Sequence, residues 1–155
     1  MNCPVCHKHH DGTSSCCVAC LSNSRRWKAR HRLQNLCISH RAGDRHRDRY
    51  DADNHVTREH LIEQLETQYN RCYHCYVLMD IGSGRVHNGM WLQRLNNKIG
   101  HTCGNTVLAC RSCNVRRVED GINDVWLEQR RKQVELDELI DEGYQLLQTR
   151  TAAIH

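Results

Sequence analysis

The stretch CGNTVLACRSCN, residues 103–114, places three cysteines and two asparagines around one apolar run, TVLAC. A short apolar run with β-branched residues, bounded by a turn signal, reads as a buried strand. The turn signal is GHTCGN, residues 100–105, and the run leads straight into a Cys-x-x-Cys pair, Cys110 and Cys113. A strand that ends on two thiols at ligand spacing is tied to something, and the partner lies upstream. Cys72 and Cys75 form an equivalent pair, with 34 residues between Cys75 and Cys110. That interval holds a Gly-rich loop around Gly82–Gly89 and a second strand-like run, MWLQRL, so it can fold back as a hairpin and bring the pairs together. Zinc takes four ligands in a tetrahedron, and thiolates suit it. Cys72, Cys75, Cys110 and Cys113 are therefore predicted to close one structural zinc site.

The rest of the chain agrees with such a staple. Of 155 residues, 39% are apolar and 26% charged; there is no Phe and one Pro, against eleven Cys and twelve His. A core this small is marginal without cross-links. The opening MNCPVCHKHH shows no apolar run of the signal-peptide kind, and no window approaches a membrane span. A reducing intracellular compartment is expected (cytoplasm, nucleus or, for a viral protein, the virion), where Cys-x-x-Cys pairs bind metal rather than form disulfides. A second four-cysteine site is expected at Cys3, Cys6, Cys17 and Cys20, with ten residues between its pairs. Cys16 is an alternative to Cys17, although only Cys17 keeps the two-residue spacing to Cys20. Cys37 and Cys103 read as packing thiols. The expected cofactors are thus two Zn²⁺.

Charge is unevenly distributed. Residues 21–50 carry net +7 and residues 119–142 net −6, within an overall +4. A basic block is the footprint of a polyanion-binding surface, and an acidic helix is not. SNSRRWKARHRLQNL can start a basic helix at Ser22 or Ser24, with Gly43 ending or interrupting it. Thr57 is a natural N-cap for REHLIEQLETQYN, whose Leu61, Ile62, Leu65 and Tyr69 fall on one face. After Gly121 one long helix is expected, with Leu136, Leu139, Ile140, Tyr144 and Leu147 as its apolar stripe. The predicted organisation is an N-terminal zinc module over 1–22, a basic helical linker over 23–54, a zinc-stapled α+β domain over 55–120 and an acidic helix over 121–155.

Zinc does not explain the asparagines. RCYHC…GMWLQRLNNKIGHTCGNTVLACRSCNVRR resembles an HNH endonuclease domain of the ββα-metal (His-Me finger) class in its zinc-stapled form. CPVC…CCVACLSNSRRWKARHR is similar to the zinc modules that precede HNH or endonuclease VII-like domains in phage and large-virus proteins. The resemblance implies an acid and a general-base His on the first strand, a buttressing Asn at Asn105, and a metal-ligating position at Asn114. The acid and base positions fall on Gln93 and Arg94. Guanidinium cannot act as a base near neutral pH, and Mg²⁺ prefers carboxylate to a neutral amide. Within this frame the catalytic candidates are His101, Asn114, Arg94 and Asn105, with His87 further off, and Mg²⁺ is a cofactor only if the site is active.

The function expected is a zinc-stabilised, HNH-like nucleic-acid-binding protein with an eroded nuclease site, DNA being favoured over RNA. Arg25, Arg26, Lys28, Arg30, Arg32, Arg94, Arg111, Arg116 and Arg117 are the candidate phosphate contacts, with Trp27 available for stacking. Two other readings stay open: an active metal-dependent endonuclease with His101 as substitute base, and a structural zinc protein of a viral particle or other assembly, joined through its acidic helix.

Overall fold

The computed structural model describes residues 31–117 and 121–152. The expected site of Cys3, Cys6, Cys17 and Cys20, the helix start at Ser22 or Ser24, and Arg25, Arg26, Trp27, Lys28 and Arg30 lie outside the described residues. Among the described residues six elements follow in order: α1 (Arg32–His46), α2 (Arg58–Thr67), β1 (Met90–Arg94), β2 (Thr106–Cys110), α3 (Arg111–Arg116) and α4 (Asp124–Ala152). β1 and β2 form a two-stranded antiparallel sheet, with Met90 opposite Cys110 and Arg94 opposite Thr106. The architecture is α+β, a hairpin followed directly by a short helix.

The core sits between α1, α2 and this hairpin. Val56, Leu61, Met90 and Leu108 are sealed from solvent, and Leu36 and Cys37 of α1 belong to the same cluster. All five residues of β2 are buried, so the strand needs partners along both edges. One edge pairs with β1. The other is satisfied by side-chain amides of α2 and its cap. The Gln68 amide donates to the Leu108 carbonyl at 2.9 Å and accepts from the Leu108 N–H at 3.2 Å, the pattern of a neighbouring strand. Gln64 donates to the Thr106 carbonyl. Two glutamines, together with the Tyr73 N–H on the Leu108 carbonyl and the Cys72 sulfur on the Cys110 N–H, thus close an edge that a third strand would otherwise have to cover.

Thr57 caps α2, its hydroxyl accepting from the His60 N–H at 3.2 Å. The expected apolar face holds at Leu61 and Leu65 but not at Tyr69, which is 81% exposed. The helix stops first. The Asn70 N–H reaches the Leu65 carbonyl and the Tyr69 N–H the Glu66 carbonyl, a Schellman closure with Tyr69 and Asn70 at φ 54° and 57°. Gly43 also departs from expectation. It lies inside α1, which continues to His46. One helical glycine costs only about 1 kcal/mol, and the turn after it carries the buried anchor Asp44, with Arg45 and His46 suited to the negative helix end.

α4 packs through Val134, with Trp126 and Leu127 partly covered. Its expected stripe does not reach the core: Leu136, Leu139, Ile140, Tyr144 and Leu147 are all more than half exposed. Among the described residues no helix is long and apolar enough to cross a membrane.

Replacing Gln68 by Ala leaves the Leu108 N–H unpaired in a buried strand and its carbonyl with the Tyr73 N–H alone. The expected loss is about 1–3 kcal/mol of stability, read as a lower urea midpoint at unchanged slope. An unchanged midpoint would show that α2 does not act as the missing strand.

Candidate metal centre and the arginine pocket beside it

The turn after α2 delivers Cys72 and Cys75, the end of β2 delivers Cys110, and the first turn of α3 delivers Cys113. All four sulfurs lie within 4.8 Å of one another. Cys75 and Cys110 are 3.7 Å apart, close to the edge of about 3.8 Å that a tetrahedron with zinc–sulfur bonds of about 2.3 Å requires. Backbone N–H groups point at the sulfurs: Cys110 N to Cys72 Sγ at 3.2 Å, His74 N to Cys72 Sγ at 3.4 Å, and Cys113 N to Cys110 Sγ at 3.5 Å. These donors favour thiolate. The Cys110 thiol, hydrogen-bonded to Cys72, pulls that group far below its ordinary range, while Cys113 is pushed far above it by the same neighbour. Four thiols this close cannot all ionise unaided; a divalent cation lets them do so together. The donor set fits zinc, which would crosslink knuckle, strand and helix. Cys37 stays apart, a buried thiol pushed up to about 11 by desolvation. Among the described residues no other group of His, Cys, Asp or Glu converges on a possible metal position.

A second feature, a pocket, opens at β1. Its wall is Leu92, Gln93 and Arg94 of β1, Asn97 and His101 of the hairpin loop, Asn114 and Arg117 at the end of α3, and His40 and Arg47 from α1. Three of the expected catalytic positions, Arg94, His101 and Asn114, therefore meet. Asn105 stands behind them. Its amide donates to the carbonyls of Asn96 at 2.9 Å and Gly100 at 3.0 Å and accepts from the Asn96 N–H at 2.8 Å, which holds the loop shut. His87 is elsewhere, its carbonyl taken by Ser112.

The arginines are fixed by backbone carbonyls rather than by acids. Arg94 donates to Asn97 and Ile99, and Arg117 to Leu95. Burial lowers the pKa of Arg94, and the charges of Arg49, Arg117 and Arg47 add to the effect. It still carries its proton, so the pocket concentrates positive charge that Asp44 offsets only in part. No carboxylate lines it. Of the other expected phosphate contacts, Arg32 donates to the Met90 carbonyl and lies over Trp91, Arg111 donates to Arg85, and Arg116 stacks on Trp126. These three stand outside the pocket.

Behind the pocket wall lies a carboxylate–imidazole pair that sequence reading missed. Asp44 of α1, 1% exposed, accepts from both the backbone N–H and the ring Nδ1 of His101, 57 positions away, at 2.6 and 2.9 Å. Burial alone would raise Asp44, but these two bonds hold it below its ordinary value. Since a carboxylate only accepts, Nδ1 carries the hydrogen and Nε2 is left with the lone pair. Desolvation keeps His101 below its ordinary pKa despite Asp44. His40 stacks on it, ring centroids 4.1 Å apart, and is driven down to about 4 by burial and by His101. Gly100 makes room: a Cβ there would collide with the Arg49 carbonyl oxygen and lie 2.9 Å from Asp44. The dense Arg/His block was visible in the sequence, and CISH at 37–40 sets His40 at metal-ligand spacing from Cys37, but Asp44 and Arg47 carried no spacing signal.

Cys110→Ser is expected to lower zinc content by one ion per chain, by elemental analysis, and to abolish cooperative unfolding of the hairpin region. Unchanged zinc content would remove this centre. Folded His40 and His101 refuse protons that the unfolded chain accepts below about pH 6.5. Stability must therefore fall as pH drops from there toward 4. The drop should be shallower in His40→Asn than in the wild type, by denaturant midpoints across that range. Comparison of this chain with protein-family models, with curated proteins and with solved structures returns no match, so the geometry of the site is the guide to what it does.

Proposed function

We propose that the chain is a zinc-stabilised nucleic-acid-binding protein that seats a backbone phosphate in the arginine pocket, on an HNH-like ββα scaffold whose nuclease chemistry has been lost. The observation that carries this is the convergence of Arg47, Arg94 and Arg117 on a cavity without a lining carboxylate. Guanidinium forks suit phosphate oxygens. The carbonyls of Leu95, Asn97 and Ile99 hold Arg94 and Arg117 in place, so little ordering remains to be done on binding. Arg94 disfavours a divalent cation, since like charges a few ångström apart repel by several kcal/mol near a protein surface. Gln93 supplies no acid in its place: its amide oxygen is engaged by His74 at 3.1 Å. DNA is the favoured partner.

The experiment is fluorescence anisotropy on labelled DNA across a salt series. Arg94→Gln with Arg117→Gln should weaken binding at least tenfold and reduce the salt slope by about one for each phosphate no longer neutralised. Binding insensitive to salt and to these changes would sink the proposal.

One observation favours a second reading, hydrolysis. Asp44 orients His101 as a triad acid orients its imidazole, leaving Nε2 free to accept a proton. Binding without catalysis predicts no nicking of supercoiled DNA with Mg²⁺ or Mn²⁺. Nicking that is lost in both His101→Ala and Asp44→Asn would make the enzyme reading the right one.

A further inference from the structure

Three of the chain's five tyrosines fall within eight residues, at 69, 73 and 76, around the metal-binding turn. All face solvent, at 81%, 47% and 53% exposure. They line a groove with His74, Arg71 and Arg131. Tyr69 and Tyr76 hold it at φ 54° and 64°. The left-handed region is where glycine is at home and a bulky residue is strained. The closure of α2 accounts for the backbone at Tyr69, and Arg131 covers part of the Tyr76 ring, yet both rings keep more than half of their surface open to a partner.

The cations beside the rings define the visitor. The Arg131 guanidinium sits 4.8 Å from the Tyr76 ring centroid and is fixed by a 2.7 Å bond from Nε to the His74 carbonyl. Arg71 donates to the Tyr76 carbonyl at 2.9 Å and pairs with Glu138, so its charge is already met. The His74 ring faces Tyr73 edge-on, centroids 5.1 Å apart, and its Nε2 meets the Gln93 amide oxygen. Gln93 also lines the arginine pocket. One hydrogen-bonded pair of side chains therefore links the aromatic groove to the arginine pocket. Flat rings with a cation on one side, next to a polycationic pocket, suit a flat π-system carried on a phosphate chain.

We infer that the groove formed by Tyr69, Tyr73 and Tyr76 stacks unpaired nucleobases of a strand whose phosphate occupies the arginine pocket, so that the protein prefers single-stranded or locally opened nucleic acid to intact duplex. This rests on the phosphate-binding reading above and adds the structure of the nucleic acid recognised. In a duplex both faces of every base are covered by its neighbours; only an unpaired base offers a face to tyrosine. Because Cys72 and Cys75 flank Tyr73 and His74, the groove would be held rigid by the same zinc that folds the hairpin.

The test uses the full-length, zinc-loaded protein and fluorescein-labelled oligonucleotides: a single strand, its duplex, and the same single strand with abasic positions. The wild type should bind the plain strand more tightly than either. Tyr69→Gly with Tyr76→Gly should weaken single-strand binding about tenfold or more, leave duplex binding and its salt slope unchanged, and erase the penalty of the abasic positions. The glycines relieve backbone strain, so an unchanged or raised thermal midpoint shows that the loss is not misfolding. If that midpoint falls, Tyr73→Ala gives the same reading without touching a left-handed position, and Tyr73→Phe should retain binding. Equal affinity for single strand and duplex, or tyrosine variants with undiminished single-strand binding, overturns this inference while leaving the arginine pocket standing. Loss of duplex and single-strand binding together in Arg94→Gln with Arg117→Gln, with the tyrosine variants silent, would do the same. No binding of any nucleic acid by the wild type would overturn both.

Discussion

Everything described hangs on the convergence of four sulfurs. The sheet has two strands and the core no phenylalanine, and a two-stranded hairpin alone is at best marginal in water. Zinc held by four thiolates contributes on the order of 10–16 kcal/mol in small finger peptides, comparable with the whole stability of an ordinary domain. That contribution lands where the chain needs it. A zinc there would tie the turn after α2 to the end of β2 and the start of α3 and so fix the register of the hairpin. Both the aromatic groove and the arginine pocket are built on elements that carry these cysteines, so a metal bound there would set their separation.

A second constraint brings α1 into the same body. Asp44 would be an expensive residue to bury alone. It is tolerated because His101 meets it with two hydrogen bonds, with Arg49 3.6 Å away on its other oxygen. The pair locks the hairpin loop against α1, and Asn105 secures the same loop from inside. Two consequences follow from one contact. Arg47 and His40 are carried to the mouth of the pocket, and the imidazole of His101 is fixed in one tautomer. A structural tether and the orientation of an imidazole at the pocket are here the same interaction, which is why the pocket supports both a binding and a hydrolytic reading.

The charge pattern distinguishes the faces. The pocket gathers guanidinium groups anchored by carbonyls, while Asp124, Glu128, Glu135, Asp137, Asp141 and Glu142 of α4 are exposed on that helix. Where Glu138 reaches the knuckle it meets Arg71, not the pocket arginines. The exposed apolar residues from Leu136 to Tyr144 run along this same acidic helix.

The local features are legible from the sequence because they are encoded by short-range rules. Ligand spacing announces Cys72, Cys75, Cys110 and Cys113; β-branching and turn residues announce TVLAC at its true bounds; a Thr followed by an amphipathic run announces the cap at Thr57. The failures are local rules overridden. Periodicity puts Tyr69 on a helical face because no glycine warns of the left-handed closure, and Gly43 reads as a stop although Asp44 is anchored just beyond it. What no local rule could supply is the pairing of Asp44 with His101 across 57 positions, or the meeting of His74 with Gln93 between two cavities. A hydrogen bond between distant side chains leaves no period and no spacing in the chain. Only the folded backbone, closed by the cysteines and opened at Gly100, decides which polar groups are buried together and must satisfy one another.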